Sequence, residues 1–498
     1  MKIKITLSVL VSFALSSVTQ AVSPPPDGGY PGYNTAEGQN ALFRRTTGVF
    51  NTALGAFTLY GDTTGRANTA VGLNAMRLNV TGEFNTAVGV NALYSNNGDP
   101  SVGGGINNCA FGGYALFSNT TGRNNSAFGY GALALNTNIE NSGFGAFALF
   151  ANTEGDGNSA MGYSALAANT TGGLNSAFGR NALASNTDGV FNTATGAYAL
   201  QNNTSGGSNT ANGYIALVNN QGSNNTATGA NALQLNSTGD NNTAIGYLAL
   251  FGNYAGSNNT AVGVNALFNN ATSDRNTGIG YDALYNNTTG FDNTAVGPFA
   301  LLNSTGANNT AVGSAAGANV STAGNVICIG AGIGGDGVNN SCYIGNIWNQ
   351  SGGSQAVYVN SQGKLGAQIS SRRFKDEIKP MSQASEVIYG LKPVTFRYKA
   401  QIDPTRPRCF GLIAEDVQKV SPDLVTRGSD GKINSVRYDQ VNAMLLNEFL
   451  KEHRKVQELE KEMAGLTAQL KDQAAQIQKV STHLKLNESA RKVVLNNQ

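Results

Sequence analysis

The chain has 498 residues, enough for two to four ordinary domains, and carries 32 Lys and Arg against 30 Asp and Glu, a formal net charge of +2. That balance excludes both the strongly basic footprint of a nucleic-acid binder and a strongly acidic protein steering a basic partner. The average conceals a division: residues 1–363 hold nine basic and fourteen acidic side chains, residues 364–498 twenty-three and sixteen, and Lys4 is followed by no lysine until Lys364. Two physically different modules share the chain.

The first segment, MKIKITLSVLVSFALSSVTQA, places Lys2 and Lys4 before a short apolar run and ends on Thr19-Gln20-Ala21. Small residues at the two positions a signal peptidase reads predict a secretory signal at 1–21, cut after Ala21. The protein is therefore expected to be exported, either secreted or at a bacterial cell surface. No later stretch approaches the about 18 continuous apolar residues of a membrane span. The Pro- and Gly-rich sequence that follows cannot continue a helix and reads as a linker over 22–46.

From residue 50 one phrase recurs: FNTALG at 50, ANTAVG at 67, FNTAVG at 84 and so on to NNTAVG at 308. Its leading asparagine falls at 51, 68, 85, 108, 125, 141, 158, 175, 192, 209, 225, 242, 259, 276, 293, 309 and 325, in steps of 16 or 17 with one step of 23. A fixed period of this size means a solenoid, here over 47–334, with SNNGDPSVGGG at 95–105 looping out of the long coil. The unit, approximately N-T-A-V-G-x-N-A-L-x-x-N-T-T-G, has two apolar pieces too short for helices, each followed by a turn signal. It reads as two short strands and two turns per coil. Coils stacked about 4.8 Å apart would align Asn and Thr in hydrogen-bonded ladders. So little apolar surface per coil is not expected to offset the ordering entropy of one ribbon, so three chains around a common axis are predicted.

The repeat resembles the heads of trimeric autotransporter adhesins, which centre on a similar A-V/I-G followed by an Ala-containing segment. The resemblance implies a mainly β chain whose shaft is a left-handed parallel β-roll in a homotrimer. A monomeric β-helix of the polysaccharide-lyase kind is the alternative.

The repeats offer little catalytic chemistry. The chain's histidines are His453 and His483, so residues 1–363 supply neither a histidine metal site nor a Ser-His triad, and no cofactor or metal is expected. Asp62, Glu83, Asp156 and Asp240 do not recur in register and read as scattered solvated charges rather than a glycosidase pair. Tyr130, Phe150 and Arg180 occupy variable positions and are candidates for contacting a carbohydrate or a host or matrix surface, ordinary rod packing being the alternative. Cys109, Cys328, Cys342 and Cys409 form no CxxC pair. Cys328 and Cys342 either meet on neighbouring coils and oxidise or remain free thiols.

A connector over 335–369 contains the lone tryptophan, Trp348, and then QISSRRFKDEIK opens the charged module. Locally, Ser370-Ser371 before RRFKDEI reads as a helix N-cap, although Arg373 and Phe374 stand where a capping box needs Glu or Gln. The alternative is a Ser/Lys dyad, in which a partly desolvated lysine near Arg372 and Arg373 loses its proton and serves as base for a serine hydroxyl.

Downstream, LKPVTFRYK at 391–399, FGLIAEDVQKVSPDLV at 410–425 and VRYDQVNAMLLNEFLKEHRKVQELE at 436–460 follow in order. With SSRRFKDEIKPM they resemble the intramolecular chaperone of endosialidase-type phage tail spikes, the S74 self-cleaving peptidase family. The resemblance implies a small α/β domain over 370–450 that trimerises, assists folding of the β-rich fibre before it, and releases itself. The family's spacing of Ser, four residues, Lys makes Ser370 the nucleophile, Lys375 the general base and Ile369–Ser370 the scissile bond; Ser371 stands where the family commonly has Asp. Apolar residues at Phe449, Val456, Leu459, Met463, Leu466, Leu470, Ile477, Val480 and Leu484, interrupted by Glu452 and Gln473, predict a coiled coil over 451–486 before a tail at 487–498. The expectation is a secreted, trimeric, adhesin-like fibre with a self-cleaving chaperone. The alternatives are the same fibre with a permanent cap, and a polysaccharide-active β-helix enzyme carrying the module.

Overall fold

The computed structural model describes residues 30–98, 103–347, 357–359, 364–367, 370–428 and 430–495; the expected signal peptide, Trp348 and Ile369 lie outside them. The chain divides into two units, 1–350 and 351–498.

The first unit contains nineteen three-residue strands, from Thr35–Glu37 to Cys342–Ile344, each paired in parallel with its counterpart one coil on. The register sets Thr on Thr and Ala on Ala, as in Thr52↔Thr69 and Ala53↔Ala70. This is a parallel β-solenoid of eighteen turns. The stacked rings of Phe111, Phe128 and Phe144 have centroids 4.9 Å apart, so the stack runs roughly 85 Å. In fifteen of the nineteen strands the central residue is a buried alanine, while the residues on either side face outward.

The second apolar piece is not the strand expected of it. Its leucine takes left-handed backbone angles, φ 48° at Leu59 and 51° at Leu233, as does the residue two before it, φ 58° at Phe57. The N–H groups of these two left-handed residues point in opposite directions: Phe57 donates to the Gln39 carbonyl of the coil before, Leu59 to the Ala75 carbonyl of the coil after. Both neighbours are bonded while the chain bends tightly enough to close the coil. Left-handed angles cost an L-residue about 1–2 kcal/mol; burying the leucine completely returns about the same or more. The glycine after each strand is obligatory, since at Gly229, φ +135°, a Cβ would stand 2.4 Å from the Gly246 carbonyl oxygen.

Two alanines and a leucine per coil share the interior with two columns of buried asparagines. In the first column each Oδ1 accepts the backbone N–H of the next asparagine, as Asn225 does from Asn242 at 2.9 Å, while Asn242 Nδ2 donates to the Gly256 carbonyl at 2.8 Å. In the second column, from Asn79 to Asn287, each Nδ2 donates to the preceding side-chain oxygen at 2.6–3.5 Å. The interior thus closes within a single chain, contrary to the expectation that one ribbon could not bury enough surface.

The first column begins at Asn34, whose Oδ1 accepts from Asn51 N at 2.8 Å. At the far end its place belongs to Val326, which donates to Asn309 Oδ1 at 2.9 Å, while Asn325 sits exposed in the left-handed region at φ 58°. The 23-residue coil keeps Asn96 in the second column and rejoins at Gly105, whose carbonyl accepts from both Asn85 and Asn96. Cys328 points inward and is buried, whereas Cys342, paired in register with Ile327, points outward; both are free thiols. The two sulfurs lie on opposite faces of the sheet, so the pairing alternative fails.

One member of the second column is acidic. Asp62 is fully buried, its Oδ1 accepts from Asn79 Nδ2 at 2.8 Å, and its Oδ2 has no partner among the described residues. It is not the solvated charge the sequence suggested. Burial pushes its carboxyl up to about 7, against the smaller downward pulls of Asn79, the Gly65 N–H and the Arg45 charge.

The second unit holds an antiparallel strand pair (Val357–Val359 with Leu365–Ala367), a 3-10 turn at Arg372–Phe374, a 3-10 segment at Ser382–Gly390, and an antiparallel pair of Val394–Phe396 with Cys409–Gly411. Helix α1 (Ala414–Val420), a hairpin of Val425–Arg427 with Ile433–Val436, and helix α2 (Tyr438–Leu495) follow. Val417, Leu424, Val425, Val436 and Val441 form its core. Helix α2 is continuous for 58 residues, about 87 Å, and its apolar seam from Phe449 to Leu484 is exposed.

Two outcomes follow for the shaft. Asn225→Ala removes the acceptor of a buried backbone N–H and should cost about 1–3 kcal/mol, read as a lowered melting temperature and faster hydrogen exchange at Asn242. For Asp62, the folded state binds more protons than the unfolded chain between about pH 4 and 7, so its contribution to stability falls as pH rises through that window and then stays flat. Asp62→Asn should abolish that slope and raise the melting temperature at pH 8, but not at pH 4.

Candidate functional site

Ser370 and Lys375 are brought together at the start of the charged module. The intervening residues turn through the short 3-10 stretch, closed by Phe374 N–H to the Ser371 carbonyl at 3.0 Å and Lys375 N–H to the Arg372 carbonyl at 3.1 Å. That reversal returns Lys375 Nζ to 3.1 Å from Ser370 Oγ, to which it donates. The N-cap of the turn is Ser371, with extended backbone (φ −64°, ψ 141°) and no side-chain capping bond, so the hydroxyl of Ser370 is not consumed as a cap. The Arg373 guanidinium lies over its neighbour's ring, 4.5 Å from the Phe374 centroid. In the single chain both Ser370 and Lys375 are exposed. Ile369, the other side of the expected scissile bond, lies outside the described residues.

The sequence segments singled out further on meet in the domain. The Leu412 N–H donates to the hydroxyl oxygen of Tyr438 at 3.0 Å, joining GLIAEDVQ to RYDQ, and the Arg437 N–H donates to the Leu424 carbonyl at 2.8 Å. A Cβ at Gly411 would stand 2.8 Å from the Tyr438 hydroxyl, so a side chain there would have to push that ring aside.

On the shaft, Tyr130, Phe150 and Arg180 do not converge on one pocket. Tyr130 sits edge-on between Tyr114 and Phe147, 5.8 and 5.6 Å between centroids; Phe150 packs on Phe147, and Arg180 covers Tyr198 at 5.7 Å. Glu83 pairs with Arg66 at 2.9 Å, and Asp240 accepts from the Ser223 N–H at 2.7 Å.

Residues 370–426 match the family model described as chaperone of endosialidase, peptidase S74. No curated protein and no solved structure matches the chain. The matched segment begins at Ser370, takes in α1 and ends within the strand Val425–Arg427, so the chain carries an S74 chaperone domain after a β-solenoid, a tail-fibre-like architecture.

A polar cluster that sequence reasoning missed joins the matched segment to helix α2. Glu448 of α2, almost completely buried, accepts from Lys451 Nζ at 2.7 Å, from Tyr389 Oη at 2.9 Å and from Ser385 Oγ. Asn447 Nδ2 donates to Ser385 Oγ at 2.7 Å and to the Ser382 carbonyl at 3.2 Å, and Lys451 also reaches Glu386 at 3.3 Å. The cluster ties the first turns of α2 to the 3-10 segment. Nothing in its one-dimensional pattern marks Glu448 among the many charges of α2; only burial does. The bonds from Lys451 and then Ser385 hold its carboxyl at about 2. Because the folded value is depressed, the contribution is complete above about pH 4.5 and is lost as pH falls from there toward 2. Glu448→Gln should flatten that acid limb and lower the melting temperature of the C-terminal domain at pH 7, as followed by circular dichroism across the pH series.

Proposed function

We propose that the protein is an exported, homotrimeric surface fibre of bacterial type. Its solenoid is an adhesive shaft, and its C-terminal domain aligns the chains and then cuts itself away before Ser370. The observation that carries the reading is the 3.1 Å Lys375 Nζ to Ser370 Oγ bond at the first residue of the matched S74 segment. In the reaction, Lys375 as general base takes the proton from Ser370 Oγ, and the oxygen attacks the carbonyl carbon of Ile369. The Ile369–Ser370 C–N bond breaks as the nitrogen is protonated, leaving an ester between Ile369 and Ser370. Water then hydrolyses the ester to the Ile369 carboxylate and the free Ser370 hydroxyl.

Lys375 is exposed in the single chain. An assembly of three copies that covers Ser370 and Lys375 would make cutting conditional on trimerisation. The exposed apolar seam of α2, repeating at coiled-coil spacing, supports association of the C-terminal parts. Tyr130, Phe150 and Arg180 remain the candidate contacts for a carbohydrate or matrix ligand.

Expression of residues 22–498, followed by intact mass over time and light scattering, tests the reading. Fragments of 22–369 and 370–498 should accumulate, with serine as the new N-terminal residue, and Ser370→Ala or Lys375→Ala should leave the chain whole. An uncut wild-type trimer would favour the permanent-cap alternative; a monomer would overturn the fibre.

A further inference from the structure

The outward residue at the end of each solenoid strand forms one continuous column along the rod. After Glu37 in the first coil, none of the eighteen positions from Leu54 to Ile344 carries a charge, and fifteen are apolar. The column comes in blocks: aliphatic from Leu54 to Val88, bulky from Phe111 to Phe178, polar at Thr195, Asn212 and Thr228, then aliphatic again from Ile245 to Ile344. The turn-side positions are more mixed, with Arg77, Gln201 and Gln234 interrupting the residue that follows the buried leucine.

This column is incompletely covered in the single chain. Phe111, Phe128 and Phe178 are 37–40 % exposed, and Ile245, Ile279, Ile329 and Ile344 are 38–43 % exposed. At that fraction each phenylalanine presents about 70 Å² to water, and the stripe as a whole on the order of 900 Å². Each partner of a standard stable interface contributes about 800 Å², and a single soluble chain rarely leaves an apolar patch of this size in water.

We infer that this strand-side stripe is the face along which copies of the chain pack side by side, parallel and in register. The inference rests on the fibre reading above and adds which surface joins the copies. The occupant is a second copy because the stripe repeats every 4.9 Å, a spacing another solenoid shares. Only in-register parallel packing sets bulky on bulky, polar on polar and aliphatic on aliphatic. A slip of one coil puts Thr195 against Phe178 and Thr228 against Ile245, burying polar groups against apolar ones.

The test uses the full chain with Cys109, Cys342 and Cys409 changed to Ser; Cys328 is buried and stays. One preparation carries Ile279→Cys, a second is co-expressed from Ile279→Cys and Val262→Cys chains, and a third carries Asn303→Cys on the turn side of the coil. Each is sized by light scattering, treated with a mild thiol oxidant so that only sulfurs in direct contact join as disulfides, and its linked peptides are identified by mass spectrometry. The expected result is an oligomer with links between two 279 positions and between two 262 positions, with 262–279 links at background and none at 303. Adding Ile245→Asp and Val296→Asp should abolish the 279–279 link.

An oligomer that links at 303 and not at 279 overturns the stripe while leaving the fibre standing. Links between 262 and 279 as abundant as 279–279 overturn the register. A 279–279 link untouched by the two aspartates also counts against the stripe. A monomer overturns the fibre reading and the stripe together.

Discussion

A buried asparagine is tolerable only when its amide is bonded at both ends, and in this shaft the partners come from neighbouring turns. The first-column amide takes the N–H of the next coil and gives its own hydrogens to a glycine carbonyl; the second gives its hydrogens to the coil before. No coil can satisfy its interior alone. Buried polar groups cost free energy unless paired, so the ladder converts what would be a liability in one turn into cohesion across many. The narrowness of the core follows from the same requirement. Alanine at two of the inward positions keeps the walls close enough for the amides to reach glycine carbonyls, and the glycine column lets backbones approach where no Cβ fits.

The second column has a direction. Every Nδ2 points toward the N-terminal end and every Oδ1 toward the C-terminal end, so its amide dipoles add as peptide dipoles do in a helix. The positive end is met by an acidic side chain, Asp62, with Arg45 in the equivalent place one coil earlier, its Nη1 donating to the Gly48 carbonyl at 3.2 Å. At the other end the amides give way to Ser304 and Val320, and the first column ends on Val326. The stack therefore closes differently at its two ends, with charge at one and apolar side chains at the other.

Much of this was legible. The 16–17-residue step, the single long coil and the alternation of T-A-V across a sheet determine a parallel solenoid, because inward and outward positions at period two leave one choice of face. The Ser370/Lys375 juxtaposition was also legible, but only through the family resemblance, since a serine and a lysine five apart are uninformative by themselves. What sequence reasoning missed are properties of the neighbourhood. Ala-Leu reads as strand because apolarity does not encode the sign of φ. Asn325 matches the phrase, yet the column position is fixed by where the preceding coil's Oδ1 points, and that is Val326. Asp62 looked like one more scattered carboxylate because the second column that buries it becomes visible only after the coils are stacked, and Glu448 is hidden among the charges of a long helix in the same way.

Translational regularity is the strength of such a ladder and also its weakness. Each rung offers the same donor, acceptor and spacing, so the ladder carries almost no information about which coil belongs beside which. Within one chain covalent connection settles the matter, because each coil of sixteen or seventeen residues completes one circuit and leads directly into the next. Between copies no such tether exists, and a one-coil slip would leave every internal amide bonded as before. If copies associate, their alignment must come from features that do not repeat: the acidic first rung, the 23-residue coil, the block order of the outward strand residues, and the domain that begins at residue 370. A repetitive β shaft places its positional information outside the interactions that stabilise it, and this gives a physical reason for joining such a shaft to a separate, charged, helix-bearing chaperone domain.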